Sequence, residues 1–119
     1  MKLAEIVSTL DATTLFKGSD EQLNSDIVTG GSSDLMSDIL AGLSKGCVLL
    51  TCLTNIQVIR TAMISGVGAV IFVRGKTSPQ DVIGLAQSEN IPLYTTPCSM
   101  FVSCGRLFTH GITGLDGNR

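Results

Sequence analysis

The chain lacks tryptophan, has one tyrosine and one histidine, and carries charge on only 15% of its 119 residues. A soluble domain ordinarily carries charge on about a quarter of its positions. Each shortage excludes something. With no run of Lys or Arg and a net charge of −2, the basic stripe that tracks a phosphate backbone is missing, so nucleic acid is not an expected partner. The longest nearly uncharged stretch, around Val67 to Val73, is far shorter than the ~20 apolar residues that span a bilayer, so no membrane partner is expected. The opening Met1-Lys2-Leu3-Ala4-Glu5 has no apolar stretch of signal-peptide length, and the reading is a soluble, cytoplasmic protein. The four cysteines, Cys47, Cys52, Cys98 and Cys104, form no Cys-x-x-Cys pair, and His110 alone cannot complete an ordinary zinc set. No metal is expected. The cysteines read as small buried hydrophobes, with a redox role for Cys52, Cys98 and Cys104 as the alternative.

What is abundant is aliphatic side chain and glycine: 44% of residues are hydrophobic, and 13 are glycine. Residues 1–119 fit one domain, which can bury roughly two-thirds of its unfolded surface without disulfides or metal. Low charge and high aliphatic content in so short a chain point to surface covered by another copy, and a homodimer is expected.

Hydrophobic periodicity organises the chain. Leu3, Ile6, Val7 and Leu10 fall at helical spacing, followed by a short strand over Thr13 to Phe16 and a polar loop over Ser19 to Asn24. Asp26 to Thr29 reads as extended, broken by Gly30-Gly31. Leu35, Met36, Ile39, Leu40 and Leu43 predict a helix capped by Ser32 or Ser33 and stopped at Gly42 or Gly46. Val48 to Thr51 and Ala69 to Val73 are apolar runs of strand length. Between them a helix capped by Thr54 or Asn55 should face the core with Ile56, Ile59, Ala62 and Met63, and end at Gly66. Pro79 begins a helix with Val82, Ile83, Leu85 and Ala86 inward. A strand at Ile91 to Thr95 and a helix from Ser99 to Thr109 follow, and the tail beyond residue 112 reads as frayed. Strands near residues 48, 70 and 92, about 22 residues apart, predict right-handed βαβ units. Their lack of in/out alternation fits a parallel sheet covered on both faces. The fold class is α/β, a three-layer-type domain with a mainly parallel sheet and flanking helices.

Open parallel sheets bind ligands beyond the carboxyl ends of their strands, beside helix N-termini. Those ends offer Gly30, Gly31 and Ser32; Thr51, Thr54 and Asn55; Arg74, with Gly75-Lys76-Thr77 behind it; and Thr95 and Thr96. Hydroxyls, an amide and cations on one edge suit a small-molecule anion, a nucleotide or other phosphorylated metabolite; the competing reading is that these residues cap helices and do nothing more. Gly75-Lys76-Thr77 resembles the end of a P-loop, but the glycine required five residues earlier is Val70. Gly66-x-Gly68 lacks the third glycine of a dinucleotide fingerprint and precedes its strand. Asp34 and Asp38 lie one turn apart and read as a solvated helix face. A catalytic triad would hang on His110, better read as a surface or helix-end residue. No catalytic residue is assigned.

Several stretches together resemble the DRTGG domain family: Val28-Thr29-Gly30-Gly31-Ser32-Ser33-Asp34-Leu35, Leu50-Thr51-Cys52-Leu53-Thr54-Asn55, Ile71-Phe72-Val73-Arg74-Gly75-Lys76 and Ile91-Pro92-Leu93-Tyr94-Thr95-Thr96. The resemblance covers about residues 2 to 112. An Asp-Arg-Thr-Gly-Gly string is absent; the nearest segment is Asp26 to Gly31. The resemblance implies an α/β fold similar to the N-terminal domain of HPr kinase/phosphorylase, self-association, and a regulatory or scaffolding role beside CBS domains or phosphotransacetylases. It also implies, for stand-alone members, partners among iron-only hydrogenases and histidine-kinase-like ATPases. The expected function is therefore a non-catalytic regulatory module that senses a ligand or a protein. The alternatives are a redox-linked accessory protein of an iron-only hydrogenase and a small phosphatase or transferase.

Overall fold

The two most apolar runs become the centre of the sheet. The structure, a computed structural model, describes residues 1–35 and 45–114. Its elements are α1 (Leu3–Thr9), β1 (Thr13–Phe16), α2 (Asp20–Leu23), β2 (Gly30–Ser32), β3 (Val48–Thr51), α3 (Ile56–Ser65), β4 (Ala69–Phe72), α4 (Gln80–Ser88), β5 (Leu93–Thr95) and α5 (Met100–Thr109). Every residue of β3 and β4 is buried, as expected of strands covered on both faces.

The strand order is β1-β5-β4-β3-β2. Strands β2 to β5 run parallel, with Val48 beside Ala69 and Phe72 beside Thr95. Strand β1 is antiparallel to β5, with Thr13 opposite Thr95. Alternate strand residues face two separate cores. Leu49, Val70, Phe72 and Leu93 pack with Val58, Ile59 and Ala62 of α3 and Val82 and Ala86 of α4. Val48, Leu50, Ala69, Ile71 and Tyr94 pack with Leu3 and Ile6 of α1 and Leu107 of α5. Three layers result, each fully buried aliphatic side chain contributing about 1.5–3 kcal/mol. The expected fold class is the one observed.

Local chemistry sets the helix limits. The Asn55 side chain accepts from the Val58 amide at 3.3 Å, so Asn55 rather than Thr54 caps α3. Gly66 ends the helix in the left-handed conformation, φ 71°. Ser99 caps α5 by accepting from the Val102 amide at 3.2 Å.

The structure corrects the sequence reading in four places. Ser19 to Asn24 holds α2, because the Ser19 hydroxyl accepts from the Gln22 amide while the Gln22 side chain accepts from the Ser19 amide. The strand expected over Asp26 to Thr29 begins instead at Gly30, so the two glycines lie within β2 and Ser32 is a strand residue, not a helix cap. Met63 is exposed, and Val58 takes its place in the core. Thr113, read as part of the frayed tail, is tied to β2: its amide donates to Val28 O and its carbonyl accepts from the Gly30 amide, both at 3.0 Å. The helix expected between Met36 and Leu43, Gly42 as its stop, Asp38 and the last five residues lie outside the described residues.

Candidate functional site

The site follows from where the connections go. Both α3 and α4 cover one face of the sheet, whereas β5 leads into α5 on the other. The chain therefore leaves β4 toward one face and β5 toward the opposite face. Diverging exits from neighbouring parallel strands open a crevice at their carboxyl ends. Here the crevice is an open cleft of about 520 Å³, lined by Thr13, Gly75, Lys76, Thr77, Ser78, Gln80, Thr95 and Thr96 among others.

Its walls are fixed by hydrogen bonds between the two exit loops. The Arg74 amide donates to Cys98 O and the Gly75 amide to Thr96 O, each at 2.8 Å. The Thr95 hydroxyl donates to Lys76 O at 2.9 Å. Arg74 and Gly75 are consecutive left-handed residues, φ 64° and 65°, and they turn the backbone so that Lys76 to Ser78 forms the rim. The Thr96 hydroxyl is buried and committed: it donates to Leu10 O and accepts from the Cys98 amide. Thr96 thus builds the wall and has no donor left for a ligand.

The uncommitted groups lie on the rim. The Lys76 ammonium has no ion pair or hydrogen bond among the described residues. The amides of Thr77, Ser78, Gln80 and Asp81 have no acceptor there either. Pro79, at the N-cap of α4, supplies no capping side chain. Two acids temper the positive end. Asp81 opens the first turn of α4, and Asp11 lines the cleft with its carboxylate 3.3 Å from Arg106 Nη1.

The nine residues expected at the strand ends divide among several places. Thr95 and Thr96 line the crevice. Arg74 lies beside it, exposed, its guanidinium without a partner among the described residues. Thr54 and Asn55 edge a separate depression with Gln57, Pro79 and Asp81. Thr51 is buried, and its hydroxyl donates to Asp34 Oδ1 at 3.1 Å, which also accepts from the Cys52 amide at 2.7 Å. Gly30, Gly31 and Ser32 line an apolar cleft of about 200 Å³ against α5, shared with Leu50, Cys104, Phe108 and Ile112. Sequence reasoning placed Lys76 and Thr77 at this strand end, behind Arg74, but did not single them out as the crevice rim, and it missed Ser78. The polar run after the β4 hydrophobics was the signal for them.

Cys47 is fully buried under α3, the placement of a small core hydrophobe. Cys52, Cys98 and Cys104 are partly buried, and none of the four cysteines is in a disulfide. Among the described residues, no three or more His, Cys, Asp or Glu side chains group to hold a metal ion. His110 stands at the C-terminal cap of α5, exposed, with Nδ1 2.7 Å from Arg106 O. No helix among the described residues is long and apolar enough to cross a membrane.

No family model matches the chain, and no curated protein does. Among solved structures the chain is similar to the CBS and DRTGG domains of the regulatory region of Clostridium perfringens pyrophosphatase, complexed with the activator diadenosine tetraphosphate. The match has a TM-score of 0.73 at 19% identity and covers 99% of this chain and 50% of that one. The chain thus spans about half the length of its neighbour, and the likeness supports a DRTGG-related fold.

Proposed function

We propose that this chain is a non-catalytic ligand-sensing module that takes a nucleotide or similar phosphorylated small molecule in the crevice between the β4 and β5 exits, and that it works as a pair of identical chains. The observation that carries the reading is the rim itself. An ammonium and three backbone amides, those of Thr77, Ser78 and Gln80, that have no partner among the described residues border one cleft beside a helix start without a side-chain cap, the arrangement that receives a phosphate oxygen. The regulatory region of the neighbouring pyrophosphatase, complexed with a dinucleotide activator, favours the same class of ligand. Hydrogenases and ATPase-type proteins stand as candidate partners through the family resemblance alone. The redox alternative gains no support from the cysteines, which stand in both cores and at loop positions rather than in one group.

Calorimetric titration with ATP and with diadenosine tetraphosphate tests the reading. Lys76→Ala should weaken binding by about one to two decades, the loss of one charge-assisted hydrogen bond. Arg74→Ala, outside the cleft wall, should weaken it less. Unchanged binding by Lys76→Ala would place the nucleotide elsewhere.

A further inference from the structure

The crevice holds two features that a bare phosphate does not use. The first is apolar. Leu15 of β1 and Ile83 of α4 both line the cleft, and each packs one side against the α3–α4 core while staying only partly buried. Leu15 lies further down its strand than Thr13, and Ile83 one turn into its helix from Gln80. The two aliphatic side chains therefore form a floor beneath the polar rim. Ligand sites are ordinarily built this way, with an apolar lining and a few polar groups that fix orientation.

The second feature is a carboxylate. The Thr95 hydroxyl donates to Lys76 O, and the hydroxyl of the next residue, Thr96, donates to Leu10 O. The β5 exit thus lies between Lys76 on one side and Asp11, which follows Leu10, on the other. Both residues line the cleft. Arg106, outside the lining, holds Asp11 in place: its Nη1 donates to Asp11 Oδ2 at 3.3 Å and to Thr9 O at 3.0 Å. Asp11 Oδ1 has no donor among the described residues.

We infer that this crevice selects a nucleoside phosphate over other phosphorylated molecules, the base lying on Leu15 and Ile83 and Asp11 accepting from a ribose hydroxyl. The inference rests on the phosphate reading of the rim and adds the other end of the ligand. An ionised carboxylate only accepts hydrogen bonds, and a second anion beside it meets a like charge. An inorganic polyphosphate filling the cleft has no donor for Asp11 and no face for the apolar floor. A sugar phosphate has the hydroxyls but no flat apolar body. A nucleoside phosphate has both, and an acidic side chain on the ribose hydroxyls is the arrangement of other strand-end nucleotide sites.

Asp11 also has a structural reading. Its backbone is left-handed, φ 51°, at the corner between α1 and β1, and aspartate tolerates that conformation better than most residues. Glycine serves such a corner without steric cost. Asp11→Gly therefore removes the carboxylate and keeps the turn, which separates the two roles.

The test is calorimetric titration of wild type, Lys76→Ala, Asp11→Gly and Ile83→Ser with ATP, 2′,3′-dideoxy-ATP and tripolyphosphate, each variant checked for folding by circular dichroism. Wild type should bind ATP about tenfold more tightly than either of the other two, the worth of one hydrogen bond to a charged group at a solvent-exposed site. Asp11→Gly should weaken ATP to the level of dideoxy-ATP, leave dideoxy-ATP unchanged and bind tripolyphosphate no more weakly than wild type does. Ile83→Ser should weaken both nucleotides and spare tripolyphosphate, and it decides the matter should Asp11→Gly misfold. Tripolyphosphate binding as tightly as ATP, with Lys76→Ala weakening both, overturns the selection and leaves the phosphate site standing. A preference for ATP over dideoxy-ATP that persists in folded Asp11→Gly overturns the role of Asp11. Absence of binding by ATP and tripolyphosphate alike, or binding indifferent to Lys76→Ala, overturns the phosphate site and the selection together.

Discussion

The Thr51 hydroxyl at the end of β3 donates to the Asp34 carboxylate at 3.1 Å, and the same oxygen accepts from the Cys52 amide at 2.7 Å. The chain thus fills the carboxyl end of β3 with a negative charge of its own. A phosphate arriving there would meet a carboxylate already seated on the donors it needs. At the exits of β4 and β5, the next two strands of the sheet, no carboxylate among the described residues plugs the donors in this way. This difference selects among strand ends that look alike in the sequence.

Removing the plug has a stability consequence. Asp34→Ala leaves the Thr51 hydroxyl and Cys52 amide without their acceptor, a loss of about 1–2 kcal/mol. At about 4 °C per kcal/mol for a chain of this size, the midpoint should fall by about 4–8 °C in a thermal melt. A melting temperature equal to wild type would show that the contact contributes nothing.

The cap of α3 is predicted to behave as an ordinary N-cap. Asn55→Ala removes the acceptor of the Val58 amide and should cost about 1 kcal/mol in urea unfolding, with the slope unchanged. Because Asn55 lies at a depression separate from the crevice, its loss should not alter affinity for ATP.

Tight backbone approach is testable at Gly68. A Cβ there would stand 2.9 Å from the Gly46 carbonyl oxygen, which is backbone and cannot swing aside. Gly68→Ala should lower stability by about 1–3 kcal/mol by urea unfolding. A neutral result would mean that the turn ahead of β3 relaxes freely.

Burial pushes the Tyr94 phenol above its ordinary value of 10.0, because desolvation disfavours the charged form. The folded state therefore holds the proton more tightly than the unfolded chain. The associated stability is fully present below pH 10, and is lost as pH rises from there through the folded pKa, at up to ~1.4 kcal/mol per pH unit. As the chain has one tyrosine and no tryptophan, phenolate absorbance reports this group directly. Titration at the value of free tyrosine would contradict the buried placement.

Much of the fold was legible because its central strands are short aliphatic runs bounded by glycine and polar turns, as at Val48 to Thr51 and Ala69 to Phe72. The helix limits at Asn55, Gly66 and Ser99 were legible for the same local reason. Helix α2 was missed although Ser19 and Gln22 stand at capping-box spacing; its four residues are too few to show periodicity. Strand β2 was misplaced because glycines ordinarily break strands. Here the sheet holds them, and a Cβ at Gly30 would stand 3.2 Å from Ile112 and 3.3 Å from Val48. That Arg74 lies outside the cleft lining while Lys76 forms its rim depends on two left-handed residues and on loop pairing to Thr96 and Cys98. Contacts between segments some 20 residues apart leave no trace in local pattern.

The central claim, that a phosphorylated ligand enters at the β4 and β5 exits, is tested most directly by amide chemical shifts during titration of the isotopically labelled chain with ATP and diadenosine tetraphosphate. The account predicts saturable shifts concentrated at Gly75 to Asp81 and Thr95 to Cys98, abolished or strongly weakened in Lys76→Ala. Shifts centred instead on Gly30, Gly31, Cys104 and Phe108, or none at millimolar ligand, would contradict it.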